Sequence, residues 1–287
     1  MNRTRTLDFE RRWGARAGFT AFVAAVLFVA GTIVGQQGPV APSTTTELLR
    51  EFHEQSGMLL LGAILASLGL MLTAGPYFYL FQAAANRSPA VRRGMGGVVV
   101  IGPIFLGLAG LFQWAALNAA ANDFATPGGG LGVPIGTYAE DLIRDQTTFS
   151  IAQGLSFAGV IGFVVGTIYT TLWAMRTGLV TRFMGTLGMA LAASLVLLAQ
   201  AFALMALMIW MIWVGIIFLD RLPSGRPKAW DAGEAIPWPR PGEEAAEPPP
   251  ATEPIEGEAT EVPADAAGQH AARRERAKRR KRKRRRS

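Results

Sequence analysis

The chain contains no cysteine and only two histidines, His53 and His270. Without thiols there can be no disulfides, thiolate metal centres, iron–sulfur clusters or palmitoyl anchors. A third scarcity says more. Between Ala17 and Leu219 lie long runs with no Asp, Glu, Lys, Arg or His. Ion-coupled transporters place ionisable side chains inside such runs, so this chemistry has no carrier here. Proline is also unevenly spread. Gly75-Pro76 and Gly102-Pro103 interrupt two runs of the first half, whereas the runs of the second half have none. Paired broken helices, the signature of many secondary transporters, are therefore missing, and the two Gly-Pro steps read as structural kinks. No cofactor motif and no catalytic constellation are present, and the chain is expected not to be an enzyme.

What remains is membrane composition. Half of the 287 residues are hydrophobic, 33 are glycine, and the mean hydropathy is +0.26. A hydrocarbon layer about 30 Å thick needs ~20 apolar residues per helix. Runs 17–35, 57–81, 96–118 and 151–175 each meet that length. The basic start before Ala17 also has the form of a secretory signal, but the run is long and Pro42 directly follows the small residue Ala41, which disfavours cleavage.

The last run, Phe183 to Leu219, needs a different treatment. As one straight helix its 37 residues would extend ~55 Å, well beyond the hydrocarbon. Two tilted helices, 181–199 and 202–220, with a turn near Gln200 fit better. Charge supports the same division. Arg3, Arg5, Arg11, Arg12 and Arg16 precede the first run; Arg87, Arg92 and Arg93 follow the second; Arg176 and Arg182 follow the fourth; Arg221, Arg226 and Lys228 follow the last. The other connections carry one Arg each, Arg50 and Arg144, among acids. Because Lys and Arg mark cytoplasmic loops, all the Arg-rich segments share one side only if the last run crosses twice. The expected fold is an all-α, six-span transmembrane bundle in a bacterial cytoplasmic membrane, with both termini cytoplasmic. Its divisions are a basic N-terminus, 1–16; the spans, 17–222; a juxtamembrane Pro/Trp segment, 223–242; and a disordered tail, 243–287.

Aromatic positions add detail. Trp13, Trp173 and Tyr77 fall near expected inner borders and Trp114 near an outer one, as interfacial anchors do, while Trp210 and Trp213 read as packing residues. In the fourth run Gly154, Ala158, Gly162 and Gly166 recur every four residues, a small-residue stripe suited to close helix packing against an intramolecular neighbour or a homodimer partner. Gln113, Asn118 and Gln153, with Ser156, Thr167, Thr170, Thr171 and several Tyr, are polar groups within the runs. They read as interhelical hydrogen-bonding groups, or as the lining for an uncharged or lipophilic substrate.

On the outer side, Thr44 and Glu47 have capping-box spacing and should start a helix leading into the second span; Thr137 and Glu140 should start another. The intervening Gly128-Gly129-Gly130 stretch has no following Lys and is no nucleotide cradle. His53, Glu51 and Glu54 with Glu140, Asp141 and Asp145 have the side chains of a divalent-cation site, although solvated helix faces share that pattern.

The tail changes character completely. Residues 226–238 bring Trp230 and Trp238 among Pro, Gly and charges, suited to the inner headgroups. Residues 241–265 are rich in Pro, Ala and Glu, with too few apolar residues to fold. Then follow Arg273, Arg274, Arg276, Lys278, Arg279, Arg280, Lys281, Arg282, Lys283, Arg284, Arg285 and Arg286, with Glu275 the lone acid in the run. The whole chain's formal charge of +7 is due to this one segment. Anionic membrane headgroups are the nearest expected partner, each basic residue adding ~1 kcal/mol near such a surface. Nucleic acid or the ribosome is the alternative, by counterion release without base stacking, because no aromatic interrupts the run.

Residues Arg221–Pro241 resemble the segment that closes the membrane domain of an uncharacterised bacterial six-span family. Glu47–His53, Ala139–Asp145 and Arg182–Gly188 are similar to that family as well. The resemblance covers about residues 17–242, and implies location and architecture without an activity. Three functions are consistent with these readings: a membrane scaffold or interaction protein whose tail contacts lipid, a permease or exporter of uncharged molecules, and a ribosome or nucleic-acid tether.

Overall fold

The computed structural model describes residues 3–35, 44–126, 138–197, 200–223 and 225–239. Among these the secondary structure is helical, without strands. The helices are α1 (Arg3–Val34), α2 (Thr45–Leu72), α3 (Ala74–Ala85), α4 (Met95–Ala125), α5 (Tyr138–Arg144), α6 (Thr147–Arg176), α7 (Arg182–Leu197), α8 (Gln200–Phe218) and α9 (Lys228–Ala232). They belong to one compact unit ending at Trp238; a second unit, Pro239–Ser287, lies almost wholly outside the described residues. Four stretches are long and apolar enough to cross a membrane: α1, α2 with α3, α4 and α6. Helices α7 and α8 are apolar but shorter. Such a set of helices fits a multi-pass membrane protein.

Close backbone approach holds the long helices together. An added Cβ at Gly31 would lie 2.3 Å from Ala66 N, and one at Gly69 would lie 2.5 Å from Phe28 N. These contacts set α1 antiparallel against α2. At Gly102 the same atom would lie 2.4 Å from Phe163 N, which sets α4 against α6. In a bilayer, where the surroundings are as apolar as the side chains, helix association rests on such dense contacts rather than on a hydrophobic drive.

Local breaks follow the chemistry of the chain. Thr44 caps α2, its hydroxyl accepting from Glu47 N–H at 3.2 Å as the spacing predicts. Helix α2 bends at Gln55 (φ −122°, ψ 24°), separating its outer, partly charged turns from the apolar span. Between α2 and α3 the helix is interrupted at Thr73. Pro76 has no N–H for the Leu72 carbonyl, and the Thr73 hydroxyl donates to Leu70 O at 2.6 Å. Helix α4, by contrast, continues through Pro103. Helix α5 begins at Tyr138; its expected cap, Thr137, lies outside the described residues.

The run Phe183–Leu219 is not one rod. Helix α7 ends at Leu197, α8 starts at Gln200, and the two pack antiparallel. Trp210 Nε1 donates to Met184 O at 2.9 Å, and Gly188 faces the Trp210 ring. Two aromatic expectations are corrected. Tyr77, 2% exposed, is a core residue between Phe163 and Trp210 rather than a border anchor. Trp213, 50% exposed, points outward while Trp210 packs inward, because three residues turn a helix about 300°.

Candidate functional site

The most organised chemistry lies where the Arg-rich segments meet, away from the groups singled out by sequence. One face of α1 carries Ala21, Ala17, Gly14, Glu10 and Thr6, all buried, so the small-residue seam of the span continues into the basic N-terminus. Arg87 follows α3 directly. Its guanidinium pairs bidentately with Glu10, Nη2 reaching Oε2 at 3.0 Å and Nη1 bonding Oε1. The remaining donors go to Ala83 O (3.0 Å) and Ala229 O (2.8 and 3.2 Å). The Arg87 and Glu10 side chains are 0% and 4% exposed. Burial pushes the Glu10 carboxyl, which precedes the apolar run, up from its ordinary value; Arg87 offsets part of that rise.

Trp230 of α9 closes the cluster from the other side. It is 1% exposed and stacks on Tyr79 at 5.8 Å with 13° between planes, and Phe218 meets it edge-on. The guanidinium carbons of Arg87 and Arg226 stand 5.3 and 4.4 Å from its ring centre. Trp230 Nε1 donates to Leu179 O and Trp238 Nε1 to Val180 O, both at 2.9 Å. Ile236 N donates to Thr177 O at 3.2 Å. This last contact needs Gly178, whose φ is +78° and whose Cβ would fall 2.0 Å from Ile236 O. Residues 226–238 are thus docked on the protein body. The expectation that Trp230 lies against headgroups is corrected, because its indole has protein partners on each side.

Residues from the start of α1, the end of α3, the turn after α6 and the segment after α8 therefore share one end of the bundle, here called the basic end. Both ends of the Phe183–Leu219 run lie there: Trp230 meets Phe218 edge-on and donates to Leu179 O, and Arg182 Nη2 donates to Trp238 O at 3.0 Å.

The small-residue series of α6 divides. Gly166 and Gly162 face α4, where added Cβ atoms would stand 3.1 Å from the Cα atoms of Val99 and Gly102. Ala158 is exposed beside a shallow apolar groove, and Gly154 has nothing within 4 Å of an added Cβ. The buried face instead runs through Ala152, Gly159, Phe163, Gly166 and Thr170. Gln113 lines a cleft of ≈ 290 Å³ with Gly31, Gly62 and Trp114, a lining that does not include Asn118 or Gln153. Among the described residues no three His, Asp or Glu side chains gather as a metal site, so the His53 grouping does not assemble. The basic residues 273–286 lie outside the described residues.

The Glu10–Arg87–Trp230 cluster was missed by sequence reasoning. Its one readable signal was the small-residue seam of α1, which points at Glu10 when extended one turn before Gly14. Comparison with protein families, curated proteins and solved structures finds no match for this chain.

Proposed function

We propose that this chain is a non-enzymatic scaffold or interaction protein with six spans in a bacterial cytoplasmic membrane. Its termini lie on the cytoplasmic side, and its polybasic tail contacts anionic headgroups. One observation carries the reading: four Arg-bearing segments and both ends of the Phe183–Leu219 run meet at one end of the bundle. Arginines gathered at one end belong on the inner side of a membrane. With that end inside, α7 and α8 form a returning pair, the fifth and sixth spans. Backbone packing at Gly69 and Gly102 leaves little room at those crossings for a transported molecule, which favours a scaffold over a permease.

The absence of native thiols makes the topology directly testable. A single cysteine replacing Ala90 or Ser287 should resist an impermeant maleimide in intact cells, and one replacing Thr126 should react. Labelling of the Ser287 position from outside would end the proposal. For the tail, removal of 273–287 should abolish salt-sensitive binding to phosphatidylglycerol vesicles, and equal binding to neutral vesicles would reject the lipid partner.

The permease reading has one specific support. Trp114 Nε1 is buried without a hydrogen-bond partner beside the Gln113 cleft, so a neutral acceptor has a donor waiting. Retention of a radiolabelled neutral solute that is lost in Gln113→Leu would favour that reading. A ribosome or nucleic-acid tether rests on the tail alone, and co-sedimentation lost on tail removal would favour it.

A further inference from the structure

Beside the line where α1 and α3 pack together near the basic end lies a groove of ≈ 370 Å³. On α1 its wall is Phe9, Trp13, Arg16 and Thr20, spaced so that they share one helical face; Gly75 and Phe78 of α3 form the other wall. The lining is mostly apolar, and Trp13 is 45% exposed at its edge.

The charge on this groove has a definite place. A helical side chain leans toward its own N-terminus, so the Arg16 guanidinium is carried toward the basic end. It lies 5.0 Å from the centre of the Trp13 ring, one turn earlier. Among the described residues no carboxylate pairs with it. Arg87, which also meets α1 at this end, is by contrast fully engaged with Glu10. Arg16 is also the last charge before the apolar run that starts at Ala17. The groove thus has a cation and an indole at its polar end and a smooth floor, opened by Gly75, running toward Thr20.

We infer that this groove binds one anionic phospholipid, its phosphate on Arg16 and Trp13 and an acyl chain along Thr20 and Gly75. Charge complementarity selects the occupant: an apolar trough rimmed by an unpaired guanidinium at the level where an apolar run begins matches a lipid with a negative headgroup. A zwitterionic lipid supplies the same chain without the net charge.

The test uses the unique thiol that Thr20→Cys creates in the full chain. The Thr20 hydroxyl bonds only Arg16 O of its own helix, so the replacement breaks no tertiary hydrogen bond. Alkylation of that thiol by N-ethylmaleimide in detergent is followed while dihexanoyl phosphatidylglycerol or dihexanoyl phosphatidylcholine is titrated in. Both lipids should slow the reaction, and phosphatidylglycerol should reach half-protection at about five-fold lower concentration, the effect of one basic residue at an anionic surface. Adding Arg16→Gln should bring the two half-protecting concentrations together, and Arg16→Lys should keep them apart. The tail is identical in all these chains and so cannot produce the difference. Equal protection by both lipids in the Thr20→Cys chain, or an unchanged ratio after Arg16→Gln, would overturn the assignment.

Discussion

Removing Glu10 should cost this protein more than removing Arg87, although they form one ion pair. Both side chains are nearly inaccessible, so whichever remains is stranded away from water. Breaking such a pair from one side typically costs about 3–5 kcal/mol. The two partners differ in their escape. A guanidinium cannot shed its proton, so in Glu10→Leu the charge on Arg87 persists, facing only Ala83 O, Ala229 O and the Trp230 ring. A carboxyl can neutralise itself, and burial already pushes that of Glu10 upward. Arg87→Leu should therefore destabilise by less, and its cost should depend on pH.

The sign of that dependence follows from the raised value. A carboxyl whose folded pKa exceeds its unfolded one contributes stability that is fully present below the unfolded pKa and is lost as pH rises through the folded pKa. The Arg87→Leu protein should thus approach wild-type stability on acidification and fall away toward neutrality. Glu10→Leu has no carboxyl to titrate and should stay destabilised at both ends. The double variant leaves two apolar side chains and should recover much of the loss, giving a coupling energy of about 3 kcal/mol. Denaturation of the detergent-solubilised protein by SDS, followed by circular dichroism, supplies the four stabilities. A coupling below about 1 kcal/mol, the range of exposed ion pairs, would refute the argument.

Further outcomes can be checked separately. Trp230→Ala should destabilise by about 3–5 kcal/mol and open the 226–238 segment, seen as faster tryptic cleavage at Lys228 in folded protein. Gly102→Ala should lower stability by about 1–3 kcal/mol, since its Cβ would collide with Phe163 backbone; Gly154→Ala, with open space, should be neutral or raise stability by up to about 1 kcal/mol in the same assay. Gly162→Leu should weaken the α4–α6 contact, and unchanged detergent stability and particle size in that variant would remove Gly162 from the packing surface.

The helical runs were legible because lipid is a simple selector: a stretch without charge that is long enough to cross becomes a helix. The break in the last run was legible for the converse reason, since 37 residues exceed one crossing, and Trp210 of α8 folds back onto Met184 of α7. The cap at Thr44 could be read because its partner is three residues away. The charged cluster could not, because Arg87 is 77 residues from Glu10 and 142 from Ala229, and no local pattern joins them. The four-residue series in α6 shows a different limit. Four residues overshoot one helical turn by about 40°, so a series that faces α4 at Gly166 has rotated away by Gly154. The observed face mixes steps of three and four, and only the neighbour's position reveals that choice.

Because Trp230 and Ala229 seal a charge pair made by α1 and the end of α3, the earliest-made parts of the molecule wait for one of the latest. A nascent chain not yet extended as far as α9 holds Glu10 and Arg87 without Trp230 and Ala229. Chains cut short before residue 229 lack these contacts permanently, however complete their apolar helices. The packing of 226–238 is thus open only to chains that extend through α9.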